Sequence, residues 1–226
     1  MQTLVPNSDP HPTGRTYAGT SMQQRQATRR QQFMQAGHVL FGTVGFRATT
    51  VRMLCKQAAL TDRYFYESFD SIESLLAAVY QQRIEQIQAQ VLQAVLAVLP
   101  EQPVEQVIAS GLEAFFAAVE CPQTARIVWL EVLGVSPRID QLYLAAIENF
   151  TQMFSQFGRS VFPSLSLNEQ ELKILATGTI GAVSQATMAW LLSDYQASRA
   201  TMVKSLAPLL LGLVYYAQHQ ATLDQQ

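Results

Sequence analysis

The chain has 226 residues, 49% of them hydrophobic and 14% charged, with a net charge of −2. That length and apolar content exclude a disordered chain and suffice for a sizeable core. Two cysteines exclude a disulfide framework, and the near-neutral balance excludes a uniformly basic coat for nucleic acid.

Charge is nonetheless uneven. Residues 1–80 carry eight Lys/Arg against five Asp/Glu, or +3, and residues 81–226 carry seven against twelve, or −5. A slightly basic amino-terminal part on an acidic remainder suits a DNA-binding head on a body that avoids DNA. The first twenty residues hold three prolines and two glycines with no apolar run, so they read as a disordered arm rather than a signal peptide. Arg15 in that arm could graze phosphate or simply be solvated.

A first helix is expected from about Gln23 to Val44, with Ala27, Phe33, Ala36, Leu40, Phe41 and Val44 inward and Gly45 ending it. Arg25, Arg29 and Arg30 on its early turns suit either a phosphate backbone or open solvent. Thr50 can cap a second helix whose buried face is Val51, Leu54, Cys55 and Ala58. Small Ala58 and Ala59 let a third helix cross closely, and positive φ at Ala59 would strain its backbone. Thr61 is the expected cap of that third helix, with Leu60 and Phe65 as a hydrophobic staple and Phe65 and Phe69 inward. Asp62, Arg63, Tyr64, Tyr66 and Glu67 are then left on the outer face. A short helix with such an outer face needs a partner, and in a helix-turn-helix that partner is the DNA major groove. Asp70 and Glu73 fit a capping pattern for the next helix, before Leu75, Leu76 and Val79.

The run Phe33, Ala36, Leu40, Phe41, Gly45, Phe46, Thr49-Thr50-Val51, Ala58-Ala59-Leu60-Thr61, Phe65-Tyr66, Phe69, Ser71, Glu73, Leu75-Leu76 resembles the amino-terminal domain of the tetracycline-repressor (TetR) family, over about Gln24 to Tyr80. By that resemblance Arg52, Arg63, Tyr64 and Tyr66 fall on positions that touch DNA, with Thr50 a backbone contact and Thr61 beside them. The chain departs from the family pattern at Met53, where an acidic residue often completes a capping box, at Ala59 in place of a turn glycine, and at Ile72 in place of a phosphate-binding lysine. Beyond Tyr80 the resemblance is one of architecture: an all-α chain of about nine helices. A long helix joins the helix-turn-helix head (21–70) to a helical ligand-binding and dimerisation body (71–220), with a disordered tail at 221–226.

That long helix is expected from about Ser71 to Leu99, bearing Ile84, Ile87, Val91, Val95 and Val98 and stopped by Pro100 and Pro103. Further helices are expected over 103–119, over 124–133 closed by Gly134, from Pro137 to about Phe162, from Asn168 or Ser166 to Leu192, and from about Ser198 to His219. Ile174–Leu192 lacks formal charge over nineteen residues, but Thr177, Thr179, Ser184, Gln185 and Thr187 dilute it, favouring an interface helix over a membrane span. Gly178, Ala182, Ala186 and Ala189 make a ridge of small side chains, and Leu206, Leu209, Leu210, Leu213 and Val214 give the last helix a broad apolar surface. Two such helices from each of two chains would form a four-helix homodimer interface, as the resemblance also implies; both could instead pack within one monomer.

Phe115, Phe116, Trp129, Tyr143, Phe150, Met153, Phe154 and Trp190 are candidates to surround a cavity for an apolar or aromatic effector, or to be plain core. His11, His38 and His219 lack metal-binding spacing, and no nucleophile or phosphate-binding motif is present, so neither cofactor, metal nor enzyme is expected. Glu169 and Glu171 suit a helix start, and Cys55 on a buried face suits inert packing. The reading is a cytoplasmic, ligand-responsive regulator, a repressor bound as a homodimer to a palindromic operator. Asp62, Glu67 and Ile72 keep open an adaptor of the same fold that has lost DNA binding, and a small helical enzyme is a third option.

Overall fold

The computed structural model describes residues 15–99, 101–161 and 167–223, so residues 1–14 of the expected arm and 224–226 of the tail lie outside the described residues. Within them every regular element is an α-helix: α1 Arg15–Thr43, α2 Val51–Ala58, α3 Asp62–Ser68, α4 Ile72–Val98, α5 Val104–Val119, α6 Pro122–Trp129, α7 Pro137–Val161, α8 Glu169–Leu192 and α9 Arg199–Leu223.

Helix α1 begins at Arg15, ahead of the expected Gln23. Phe33, Ala36 and Phe41 are buried as expected, whereas Ala27 and Val44 are exposed. Ala27 precedes the stretch that meets the other helices, and Val44 already lies in the turn after the helix. There Gly45 has φ +91° and Thr49 Oγ1 donates to its carbonyl at 2.7 Å, reversing the chain towards α2. Thr50 caps α2, its hydroxyl accepting from Met53 N at 3.3 Å. Ala59 adopts φ +53°, ψ +40°, the left-handed conformation anticipated from the missing turn glycine. Phe65 is fully buried and meets Phe33 edge-on, ring centres 5.4 Å apart, which joins α3 to α1.

The start of α4 corrects the expected cap. Ser71, not Asp70, is the N-cap, exchanging hydrogen bonds with Ser74 at 3.0 and 3.1 Å. Glu73 instead accepts from Ser136 Oγ at 2.9 Å, tying the start of α4 to the start of α7. Helix α6 starts on Pro122 and stops at Trp129, four residues short of the expected end. Asn168 caps α8 reciprocally with Glu171. Although α8 is long and apolar enough to cross a membrane, Leu172, Ala176, Thr179, Val183, Thr187 and Trp190 face the body.

Candidate nucleic-acid interface and effector cavity

The head presents Thr50, Arg52, Thr61, Arg63 and Tyr66 to solvent. Thr61 occupies the N-cap of α3 without a side-chain cap bond, while Asp62 Oδ1 accepts from Arg63 N at 2.9 Å. Tyr66 is 61% exposed with its ring edge-on to Phe65, so the scaffold beneath it is rigid.

Tyr64 differs from expectation: it is half-buried rather than on the outer face. Arg29 of α1 lies over its ring, 3.9 Å from the centre, and Arg30 stacks likewise on Phe69 at 4.1 Å while donating to Ser68 O at 2.6 Å. Arg29 and Arg30 are therefore struts holding the end of α3 on α1. Glu67 links strut and reading face, accepting from Arg63 Nε at 2.9 Å and pairing with Arg29 at 3.5 Å. Arg63 keeps 83% of its side chain in solvent, so its charge remains available at the surface.

The body encloses a cavity of about 390 Å³. Of the eight candidates named from the sequence, Phe115, Trp129, Tyr143, Phe150, Met153 and Phe154 line it. Phe116 and Trp190 do not; they pack edge-on at 5.7 Å in the core, with Trp190 Nε1 donating to Ala197 O. Ile84, Ile87, Val91 and Leu112 add an aliphatic wall that the aromatic criterion missed, although the α4 stripe was visible as a helix face. Among the described residues, no Asp, Glu, Lys, Arg or His lines it. Polar groups are few: Tyr80, Tyr143, Gln156, Ser160, Thr179 and Ser184, the last accepting from Trp129 Nε1 at 2.8 Å. Leu92 and Leu96 on α4 are 46% and 59% exposed, and Gln156 and Ser160 on α7 are exposed, so the mouth opens between the carboxyl-terminal halves of those helices.

One connection between cavity and head was not legible in the sequence. Trp129 and Val128 line the cavity from α6. Arg126, on the same short helix, donates to Thr43 O at 3.0 Å, and Glu131 just after it accepts from Phe46 N and from Arg126 Nε at 2.6 and 2.7 Å. Glu131 lies two residues past the end of α6 and reaches back to the α1–α2 turn. His38 and Thr124 add a 3.2 Å contact, and Gly42 lets the two helices touch at Gln123. Burial, with Arg83 nearby, lowers the His38 pKa, which suits a neutral ring at this junction.

On α8, Gly178 and Ala182 are exposed and Ala186 half-buried, flanked by Ile174 and Leu192 at 65% and 66% exposure. On α9, Leu206 and Leu210 lean on the body's own core, with Leu210 lining the cavity, while Leu213 is half-buried and Leu209 lies 43% exposed. Cys55 is half-buried in the head, its thiol pKa pushed up by burial and by Asp62.

Residues 33–79 match the family model for bacterial regulatory proteins of the tetR family. That segment is a TetR-family amino-terminal domain. The fold is similar over about four fifths of the chain. FadR, a fatty acid degradation regulator from Bacillus halodurans, superposes with a TM-score of 0.70 at 15% identity, covering 81% of this chain and 95% of that one. The transcriptional regulator FadR from Bacillus subtilis, solved in complex with stearoyl-CoA, gives 0.66 at 16% identity over 80% and 96%. A transcriptional regulator from Aquifex aeolicus gives 0.60 at 18% over 82% and 99%. Comparison with curated proteins finds no match. The TetR-type head implies DNA-binding regulation.

Proposed function

We propose that this TetR-family protein is a cytoplasmic repressor that binds a palindromic operator as a homodimer and is released by a small apolar or aromatic effector. The observation that carries the proposal is the uncharged cavity whose Trp129 wall belongs to the same short helix that grips the α1–α2 turn. An occupant that displaces Trp129 moves α6, and through Arg126 and Glu131 it moves the head.

The proposed DNA contacts are Arg52, Arg63, Tyr66, Thr50 and Thr61, with Tyr64 supporting α3 from its half-buried position. Paired half-sites compensate for the limited grip of one seven-residue helix. The ridge of exposed Gly178 and Ala182 and half-buried Ala186, with Leu206, Leu210 and Leu213 on or behind the α9 side, is the proposed dimer interface. An effector without formal charge inside the cavity follows from its walls, because a buried ion would find no counter-charge there. The stearoyl-CoA seen in the Bacillus subtilis relative makes a long hydrocarbon chain one suitable occupant.

The adaptor reading has one observation in its favour: Glu67 holds the exposed Arg63 and adds negative charge to α3. Binding to random duplex at low salt separates the two readings. A repressor head binds with an affinity that falls steeply as salt rises; absence of any such binding overturns the operator proposal. The effector step is tested by gel shift with Trp129→Ala, which should keep operator binding and change the response to effector.

A further inference from the structure

A second groove, of about 430 Å³, lies apart from the cavity and shares with it the Ile87 side chain. One wall is a stripe of α4: Arg83, Gln86, Ile87 and Gln90 at spacings of three, four and seven. The other is made of Ala114, Ala117 and Ala118 on α5, whose small side chains leave the space open, with Thr124 of α6 at the end.

Arg83 is the unusual group. Its side chain is half-buried; among the described residues its enclosed Nε has no acceptor, and Nη2 donates to Gln82 Oε1 at 3.0 Å. Among the described residues Arg83 has no carboxylate partner, although the other half-buried arginines, Arg29, Arg126 and Arg199, all have one. The ionisable neighbours that sense it are His38 and Cys121, neither of them an anion that matches it. A guanidinium in this position presents a planar fork suited to an oxyanion, and Gln86, Gln90 and Thr124 supply further donors along the same groove.

We infer that the groove between α4 and α5 is a second ligand site, taking a small oxyanion (a phosphoryl or carboxyl group) on Arg83, with Gln86, Gln90 and Thr124 around it. Its chemistry is the opposite of the apolar cavity's, and it does not depend on the cavity or the operator. Because α1, α4 and α6 meet beside it through His38 and Thr124, its occupant touches the junction of head and body.

The test is thermal unfolding of the full chain against inorganic phosphate and, separately, propionate, with sodium chloride balancing ionic strength. One probe or both should give a saturable rise in midpoint with a dissociation constant on the order of millimolar; which one succeeds tells phosphoryl from carboxyl. Arg83→Gln should weaken that binding at least tenfold. Since Arg83 is half-buried, Gln86→Glu provides a variant that should not lose the fold. It places a carboxylate three residues from Arg83 on the same face, raising the midpoint without ligand and abolishing the response. A response identical in wild type and both variants, or none to either probe in wild type, overturns the assignment.

Discussion

Replacing Gly42 with alanine tests the α1–α6 junction most sharply, because two effects push in opposite directions. Gly→Ala within a helix ordinarily stabilises by about 1 kcal/mol. A methyl at Gly42, however, would lie 2.4 Å from Gln123 Cβ and 2.6 Å from Gln123 Cα. Carbon atoms pack at about 3.5–4.0 Å, so α1 and α6 must separate by roughly 1 Å or more. Gln123 cannot swing clear, since one of the clashing atoms is backbone. Overpacking of this kind costs about 1–3 kcal/mol. Separation also strains the hydrogen bonds to Thr43 O and Phe46 N and the His38–Thr124 contact, each worth about 1 kcal/mol. The net expectation is a loss of about 2–3 kcal/mol, or roughly 1 M in the urea midpoint of unfolding. Glu131→Gln, which weakens the same grip without a clash, should lose less. If Gly42→Ala is as stable as wild type or more so, ordinary helix propensity has won and the close crossing is wrong.

Ala59→Gly relieves the left-handed backbone at φ +53° and should stabilise the protein by about 0.5–1 kcal/mol in chemical denaturation, whereas an alanine comfortable there would make the change neutral or harmful. Glu67→Gln removes an anion from α3 and releases Arg63, so duplex binding should tighten by roughly three- to fivefold at low salt; unchanged or weaker binding would show that Glu67 matters mainly as a strut for Arg29. Gly178→Leu adds bulk where a Cβ would meet nothing within 4 Å, so the chain should stay folded by circular dichroism while light scattering shows the dimer lost; a dimer that survives moves the interface elsewhere. His38 has a lowered pKa in the folded chain, so below about pH 6.5 protons favour the unfolded chain and stability is lost as pH falls. His38→Gln should flatten that part of the stability–pH curve, and an unchanged slope would assign it to other groups.

What the sequence made legible was local in origin. Thr50 capping α2, the positive φ at Ala59, and Phe65 and Phe69 turning inward each depend on residues within a turn or two of one another. The aromatic cavity wall was legible because Phe150, Met153 and Phe154 repeat at helical spacing and Phe115 and Trp129 sit on neighbouring helices. What escaped depends on contacts between distant segments. Arg29 and Tyr64 are thirty-five positions apart, and only the crossing of α1 over α3 reveals that the tyrosine is a stacked support rather than a free surface ring. Phe116 and Phe115 are adjacent in the chain, yet helical geometry sends one to Trp190 in the core and the other to the cavity. The largest omission was Glu131, a single acidic residue whose partners, Phe46 N and Arg126, lie in separate parts of the fold. Periodicity extended α6 to Leu133 because Val132 and Leu133 continue the apolar pattern. A short charge-assisted bond to the α1–α2 turn competes with that local preference, and the helix ends early. That outcome also ties the two halves together. Glu131, two places past the end of α6, is the residue that grips the head, so the two halves meet where this helix stops. A head displaced from α6 would leave Glu131 without its backbone donor at Phe46, so any separation of the two halves must break this bond first.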